Sequence, residues 1–203
     1  MLKYYVYISE TKVSMLYPQI PSAFLSTAEA ELKVNLGVVS TGLKSRSPEQ
    51  TKELAGRVGV LAAYLRKHEK IGTLDEPQTW FQAVADLHWG VVTEYASDIA
   101  FFGGRVGDRT LALLGSSESI VGAAQTSESQ HASYYYTLKF FNGVVKGQAR
   151  LTNDKPPYHS WHGAVEIALG ALPESTSRLD FLARLIHQDG DLLVGTPLYV
   201  AFA

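Results

Sequence analysis

The sequence predicts an α+β domain: a mixed, largely antiparallel sheet of about six to eight strands with two principal helices over it. Three observations predict it. Short aromatic and β-branched runs such as KYYVYIS recur along the chain. One long stretch after Ser47 carries an N-terminal cap and an apolar stripe at helical spacing. Turn signals, above all Asn142-Gly143, separate apolar runs as hairpin loops do.

Taken in order, Lys3–Ser9 reads as the first strand and Glu10–Ala28, with Pro18 and Pro21, as an ordered loop anchored by Met15-Leu16-Tyr17. Glu31–Leu43 starts with alternating apolar and polar residues and reads as a second strand. Ser47, Pro48 and Gln50 then supply an N-cap, a first-turn proline and a capping box. The helix they open carries Leu54, Val58, Leu61 and Leu65 on one face, runs to about Lys70 and stops at Gly72. Leu74–Thr79 is a polar loop, and Trp80–Tyr95 is strand at its end, Trp89–Tyr95, and ambiguous before it.

Ile99–Phe102 and Thr110–Leu114 form an expected hairpin around Gly103-Gly104 and Gly107-Asp108. Ser116–Ala124 is a short helix or turn, and Thr126–Ser133 a polar loop. Tyr134–Phe141 and Val144–Leu151 flank Asn142-Gly143 as a second hairpin, followed by a loop over Thr152–Tyr158. Ala164–Leu172 reads as strand, Glu174–His187 as a helix with Leu179, Leu182 and Ile186 on its stripe, and Asp191–Ala203 as a closing strand. Strand, capped helix and strand thus describe both Glu31–Tyr95 and Ala164–Ala203, a weak internal echo. No linker divides the chain, so residues 1–203 are expected to form one domain.

Composition narrows the function classes. The chain is 203 residues long, 46% hydrophobic and 19% charged, which favours a sizeable core over disorder. A formal net charge of −2 and scattered Lys and Arg argue against nucleic acid as a partner. With no cysteine, disulfides, thiolate nucleophiles and Cys-ligated metals are excluded. The opening MLKYYVYISE reads as strand rather than leader, and the longest apolar run, Val58–Leu65, is far short of the ~20 residues of a membrane span. A cytoplasmic protein with no membrane partner, no metal and no cofactor is the expectation.

Five places invite a functional reading. Gly103, Gly104, Gly115, Ser116 and Ser117 gather small residues and hydroxyls beside a strand end, where N–H groups favour a small anion. The same residues read equally as a turn and an ordinary N-cap, and Glu118 opposes an anion there. If their segment is extended, Asp86 and His88 share a strand face and offer a carboxylate–imidazole pair, with no G-x-S-x-G nucleophile in the chain to use it. His159 and His162, with Glu166 nearby, chelate only if helical; after Pro156-Pro157 they read as a loop leading into a strand. Tyr134–Tyr136 with Phe140-Phe141, and the apolar end Leu198–Ala203, read as core or as a contact between copies.

The opening KYYVYISETKVSMLYPQIP, the central FFGG…LALLGSSESIVGA and the closing LDFLARLIHQ…LLVGTPLYVAFA resemble an uncharacterised bacterial family, frequent in actinobacteria, of unknown function. Where that family often has a basic residue or His after the Gly-Ser step, this chain has Glu118-Ser119. The resemblance implies a compact cytosolic protein and leans toward sensing or regulation in a signalling or defence system. The resulting expectation is a binding or sensor module taking a small anionic ligand and acting on a protein partner. A hydrolase or nucleotide-processing enzyme using Asp86, His88 or His159, and a homo-oligomeric interaction protein, are the alternatives.

Overall fold

The computed structural model describes residues 3–27, 48–92, 98–122, 139–140, 143 and 161–203. Its elements are β1 (Tyr4–Ile8), α1 (Glu10–Leu16), α2 (Pro48–His68), β2 (Ile71–Gly72), β3 (Trp80–Val91), β4 (Ile99–Val106), β5 (Arg109–Ser116), α3 (Trp161–Gly170), β6 (Ser177–Asp189) and β7 (Leu192–Phe202). Short 3₁₀ turns at Tyr17–Gln19 and Ser117–Ser119 follow α1 and β5.

Among the described residues seven strands form one sheet, and five of them close on themselves. β3 pairs antiparallel with β4, β4 with β5, β5 parallel with β7, β7 antiparallel with β6, and β6 antiparallel with β3. This strand order, with a crossover between β5 and β6 that contains α3, is the connectivity of the Greek-key OB barrel. β1 and the two-residue β2 extend the sheet outside the ring on β7 and β3.

Alternation along the strands builds the interior. Phe81, Ala85 and Leu87 of β3, Ala100 and Phe102 of β4, Leu111 and Leu113 of β5, Leu179 and Phe181 of β6, and Leu193 and Val200 of β7 are all buried in one cluster. The opposite faces of β4, β5 and β7 present Ile99, Phe101, Ala112, Leu114, Leu192 and Val194, and α3 covers them with Ala164, Val165 and Ala168. The outer face of β6, β7 and β1 is covered by α1 and α2, whose Val13, Val58, Leu61 and Leu65 meet Leu182, Leu198 and Tyr199. The predicted stripe of α2 is therefore the one that faces the barrel.

Several sequence expectations are corrected. Of the loop expected over Glu10–Ala28, the described residues are largely helical: Ser9 caps α1 by accepting from the Lys12 N–H, and 22–27 is helical. α2 ends at His68, and Gly72 lies in β2, where the backbone of Glu76–Gln78 leaves no room for a Cβ. Trp80–Val91 is strand throughout, and Gly103-Gly104 lies within β4 while Gly107-Asp108 makes the turn. Lys139, Phe140 and Gly143 are helical, against the second hairpin.

Ala164–Leu172 lies largely in α3, because Ala164, Val165 and Ala168 pack as one helical stripe. Glu174–His187 is mostly β6, where Leu179, Phe181 and Ala183 point inward and Arg178, Asp180 and Arg184 do not. The expected pair of principal helices thus keeps α2 and replaces 174–187 by α3. With helix and strand exchanged in that half, the internal echo dissolves. Glu31–Leu43, Ser47, His159 and Tyr134–Tyr136 lie outside the described residues.

Candidate functional site

The five Gly and Ser positions do not converge. Gly103 is opposite Ala112 and Gly115 opposite Ala100, so the two glycines sit several residues apart along the β4–β5 ladder. A Cβ on Gly103 would stand 2.6 Å from Phe101 Cε1 and 2.7 Å from the Leu111 carbonyl oxygen. A Cβ on Gly115 would stand 2.1 Å from Tyr7 Oη. These two glycines make room for aromatic rings. Gly104 is less constrained, its nearest neighbour being the Asp86 carbonyl oxygen at 3.5 Å.

Ser116 Oγ accepts from the Glu118 N–H at 3.3 Å, so it caps the 3₁₀ turn, and the Ser117 N–H donates to the Asp98 carbonyl at 2.8 Å. The Asp98 carboxylate is close by and accepts from Lys139 Nζ. The turn expected at Ser116 is present, with acidic side chains, Asp98 and Glu118, beside it.

Asp86 and His88 do share the outer face of β3, as a strand requires. They engage different partners. Arg178 Nη1 donates to Asp86 Oδ2 at 3.4 Å, an exposed pair that contributes little. His88 Nδ1 lies 2.8 Å from the Pro173 carbonyl oxygen, which can only accept, so Nδ1 carries the proton.

His162 lies in the first turn of α3, where its Nε2 donates to Asp191 Oδ1 at 2.9 Å. Thr110 Oγ1 donates to the other carboxylate oxygen at 3.2 Å. The His162 hydrogen bond, first among several, holds the Asp191 carboxyl below its usual range. Hydroxyl and imidazole both approach the carboxylate, so the imidazole is not placed to activate the hydroxyl. Among the described residues no group of three or more His, Asp or Glu side chains is arranged to hold a metal ion.

Sequence reasoning missed a polar cluster on the outer faces of β3, β6 and β7. Lys3 Nζ and Arg66 Nη2 donate to Tyr199 Oη at 2.8 and 2.7 Å. Lys3 also pairs with Asp180, and Tyr199 donates to that carboxylate at 3.4 Å. Arg66 Nε donates to Gln82 Oε1 at 3.0 Å, tying the end of α2 to β3. Tyr5 stacks edge-on against Tyr199, and burial, then Tyr199, push its phenol up to about 12. The wall beyond is open: Val84 is 47% exposed and Asp86 and Arg178 are exposed as well. Nothing in the sequence marks this cluster, since its members are spread from Lys3 to Tyr199.

The wall that OB barrels use for oligonucleotides and oligosaccharides spans their second and third strands. Here those strands are β4 and β5, and their outer residues lie under α3.

A family model described as a family of unknown function, DUF7019, matches residues 3–203, so the chain belongs to that family. The resemblance read from the sequence agrees with it at that level. No curated protein and no solved structure matches the chain. Among the described residues no helix is long and apolar enough to cross a membrane.

Proposed function

We propose that this DUF7019 member is a binding module of regulatory type that takes a small anionic ligand on the open wall of β3 and β6. One observation carries the reading: Lys3 and Arg66, from opposite ends of the fold's N-terminal half, turn their cationic heads to the same phenol oxygen of Tyr199. Among the described residues Asp180 is the carboxylate in contact with Lys3 and Tyr199, leaving the immediate cluster with more positive than negative charge. An anion replacing Asp180 as the partner of Lys3 would find two donors already oriented by Tyr199 and Gln82. The output is passed to a protein partner.

The edge at Gly115, Ser116 and Ser117 is the competing location for such a ligand. The acidic side chains beside it favour the β3–β6 wall instead. Asp86 and His88 border the same wall and serve as its rim rather than as an acid–base pair.

Native mass spectrometry of the freshly purified full chain, followed by denaturation and analysis of what is released, tests the reading. The expected result is a stoichiometric anionic small molecule that is lost from a Lys3→Ala, Arg66→Ala double variant of unchanged fold. Retention by that variant with loss in Ser116→Ala would move the site to the Gly-Ser edge. A ligand-free protein that turns over phosphate esters and stops doing so in His88→Ala would replace the binding reading by the enzymatic one.

A further inference from the structure

β7 changes neighbours in mid-strand. Up to Gly195 one of its edges is held by β5, and from Tyr199 onward by β1. Between them lies Pro197, which has no N–H to give to a ladder. The chain also bulges there, with Leu182 opposite Tyr199 and Ala183 opposite Pro197, so that Leu198 is the extra residue.

Into this interval α1 sends Lys12. Its Nζ lies 2.8 Å from Thr196 Oγ1, 3.0 Å from the Pro197 carbonyl oxygen and 3.3 Å from Ser9 Oγ. Lys12 is 7% exposed, and Thr196 and Ser9 are buried beside it. All three partners are neutral. Among the described residues the charge that acts on the amine is Arg184 of β6, opposite Thr196, and it repels. On its own helix Glu10 belongs to the first turn, and on α2 Arg57 is paired with Glu53 and lies over the Tyr17 ring.

We propose that Lys12 is a proton-sensitive latch, through which α1 docks more tightly on β7 when the amine is neutral than when it is charged. A buried ammonium among neutral acceptors loses hydration that hydroxyls and one carbonyl replace only in part. A neutral amine keeps the same three neighbours, donating to the carbonyl and one hydroxyl and accepting from the other.

Burial, and secondly Arg184, bring the Lys12 amine down from 10.5 to about 7. Undocked, it returns to its ordinary value, so the undocked form binds the extra proton in the interval between the two values. Docking therefore strengthens as pH rises from about 7 toward 10.5, by up to about tenfold per pH unit. Below about 7 both forms are charged and the dependence fades.

The test uses the full chain with ¹³C-labelled lysine. Lys12 Cε is followed by NMR as pH is raised, and urea unfolding is compared between wild type and Lys12→Met at neutral and alkaline pH. The expected result is a Lys12 midpoint near neutrality and a wild-type stability that climbs with pH relative to Lys12→Met. Limited proteolysis within α1, Glu10–Leu16, is expected to slow over the same interval. A Lys12 midpoint in the ordinary lysine range, or parallel pH profiles for the two proteins, overturns the proposal. If Lys12→Met does not fold, the titration of the wild-type chain decides alone.

Discussion

Replacing Gly115 by alanine separates a packing role from a ligand role at the Gly-Ser edge. Gly115 has no positive φ, so the substitution carries no backbone strain and would by itself stabilise by limiting the unfolded chain. Against that stands the new methyl, 2.1 Å from Tyr7 Oη and 2.6 Å from its Cζ, where ordinary contact begins near 3.4 Å. The phenol has to retreat by more than an ångström. It has little freedom to do so: Tyr7 is 1% exposed, and its ring sits edge-on to Phe102 at 5.6 Å between centroids.

Overpacking of a filled site costs about 1–3 kcal/mol, and the rigid surroundings of Tyr7 place this case at the upper end. For a domain of this size that lowers Tm by roughly 6–12 °C. Urea and thermal unfolding read the effect, and Tyr7→Phe in the Gly115→Ala background, which removes the closest atom, is expected to recover part of it. A Gly115→Ala protein as stable as wild type would refute the reasoning and return Gly115 to the residues kept small for a ligand.

Gly103→Ala is expected to destabilise by about 1–3 kcal/mol through its contacts with the Phe101 ring and the Leu111 carbonyl, whereas Gly104→Ala, with no neighbour closer than 3.5 Å, stays within about 1 kcal/mol of wild type; paired unfolding curves check the contrast. His162→Ala removes the leading cause of the depressed Asp191 carboxyl, so its NMR titration midpoint is expected to rise toward the ordinary 3.8. Because a depressed carboxyl favours the folded state above its unfolded pKa, that contribution is present at neutral pH and disappears as pH falls below about 3.8 in wild type. In the variant the part that His162 supplies is absent at every pH.

Local signals were legible where period and context agree. The stripe Leu54, Val58, Leu61 and Leu65 marked α2, and Gly107-Asp108 marked the β4–β5 turn, because each depends only on neighbours in sequence. β6 misled for a physical reason. Ile186 is an extra residue between Leu185 opposite Gly195 and His187 opposite Val194, so the strict alternation is broken. Leu179 faces the interior and Leu182 the opposite face covered by α2, so with Ile186 at the bulge the three fall at helical spacing by accident. Closure of the barrel was invisible because it rests on β6 pairing with β3, far away in sequence, through Ala85 opposite Leu179 and its neighbours. The Lys3, Arg66 and Tyr199 cluster was hidden for the same reason, whereas the separation of Gly103 from Gly115 follows directly once the hairpin register is known.

The pairing of Tyr4 with Phe202 imposes a timetable on synthesis. β1 leaves the ribosome well before its ladder partner, which lies nearly two hundred residues further along the sequence. At ordinary elongation rates of about 5–20 residues per second the interval is roughly 10–40 s. Throughout it the run Tyr4–Ile8, aromatic and β-branched, has no β7 edge to join. β5, held by β4 on one side, and β6, held by β3, each keep their other edge open for β7 as well. What can form meanwhile is local: α2 and the antiparallel run of β3, β4 and β5. The whole of β1 and one edge each of β5 and β6 therefore stay open together until β7 arrives and pairs with all three.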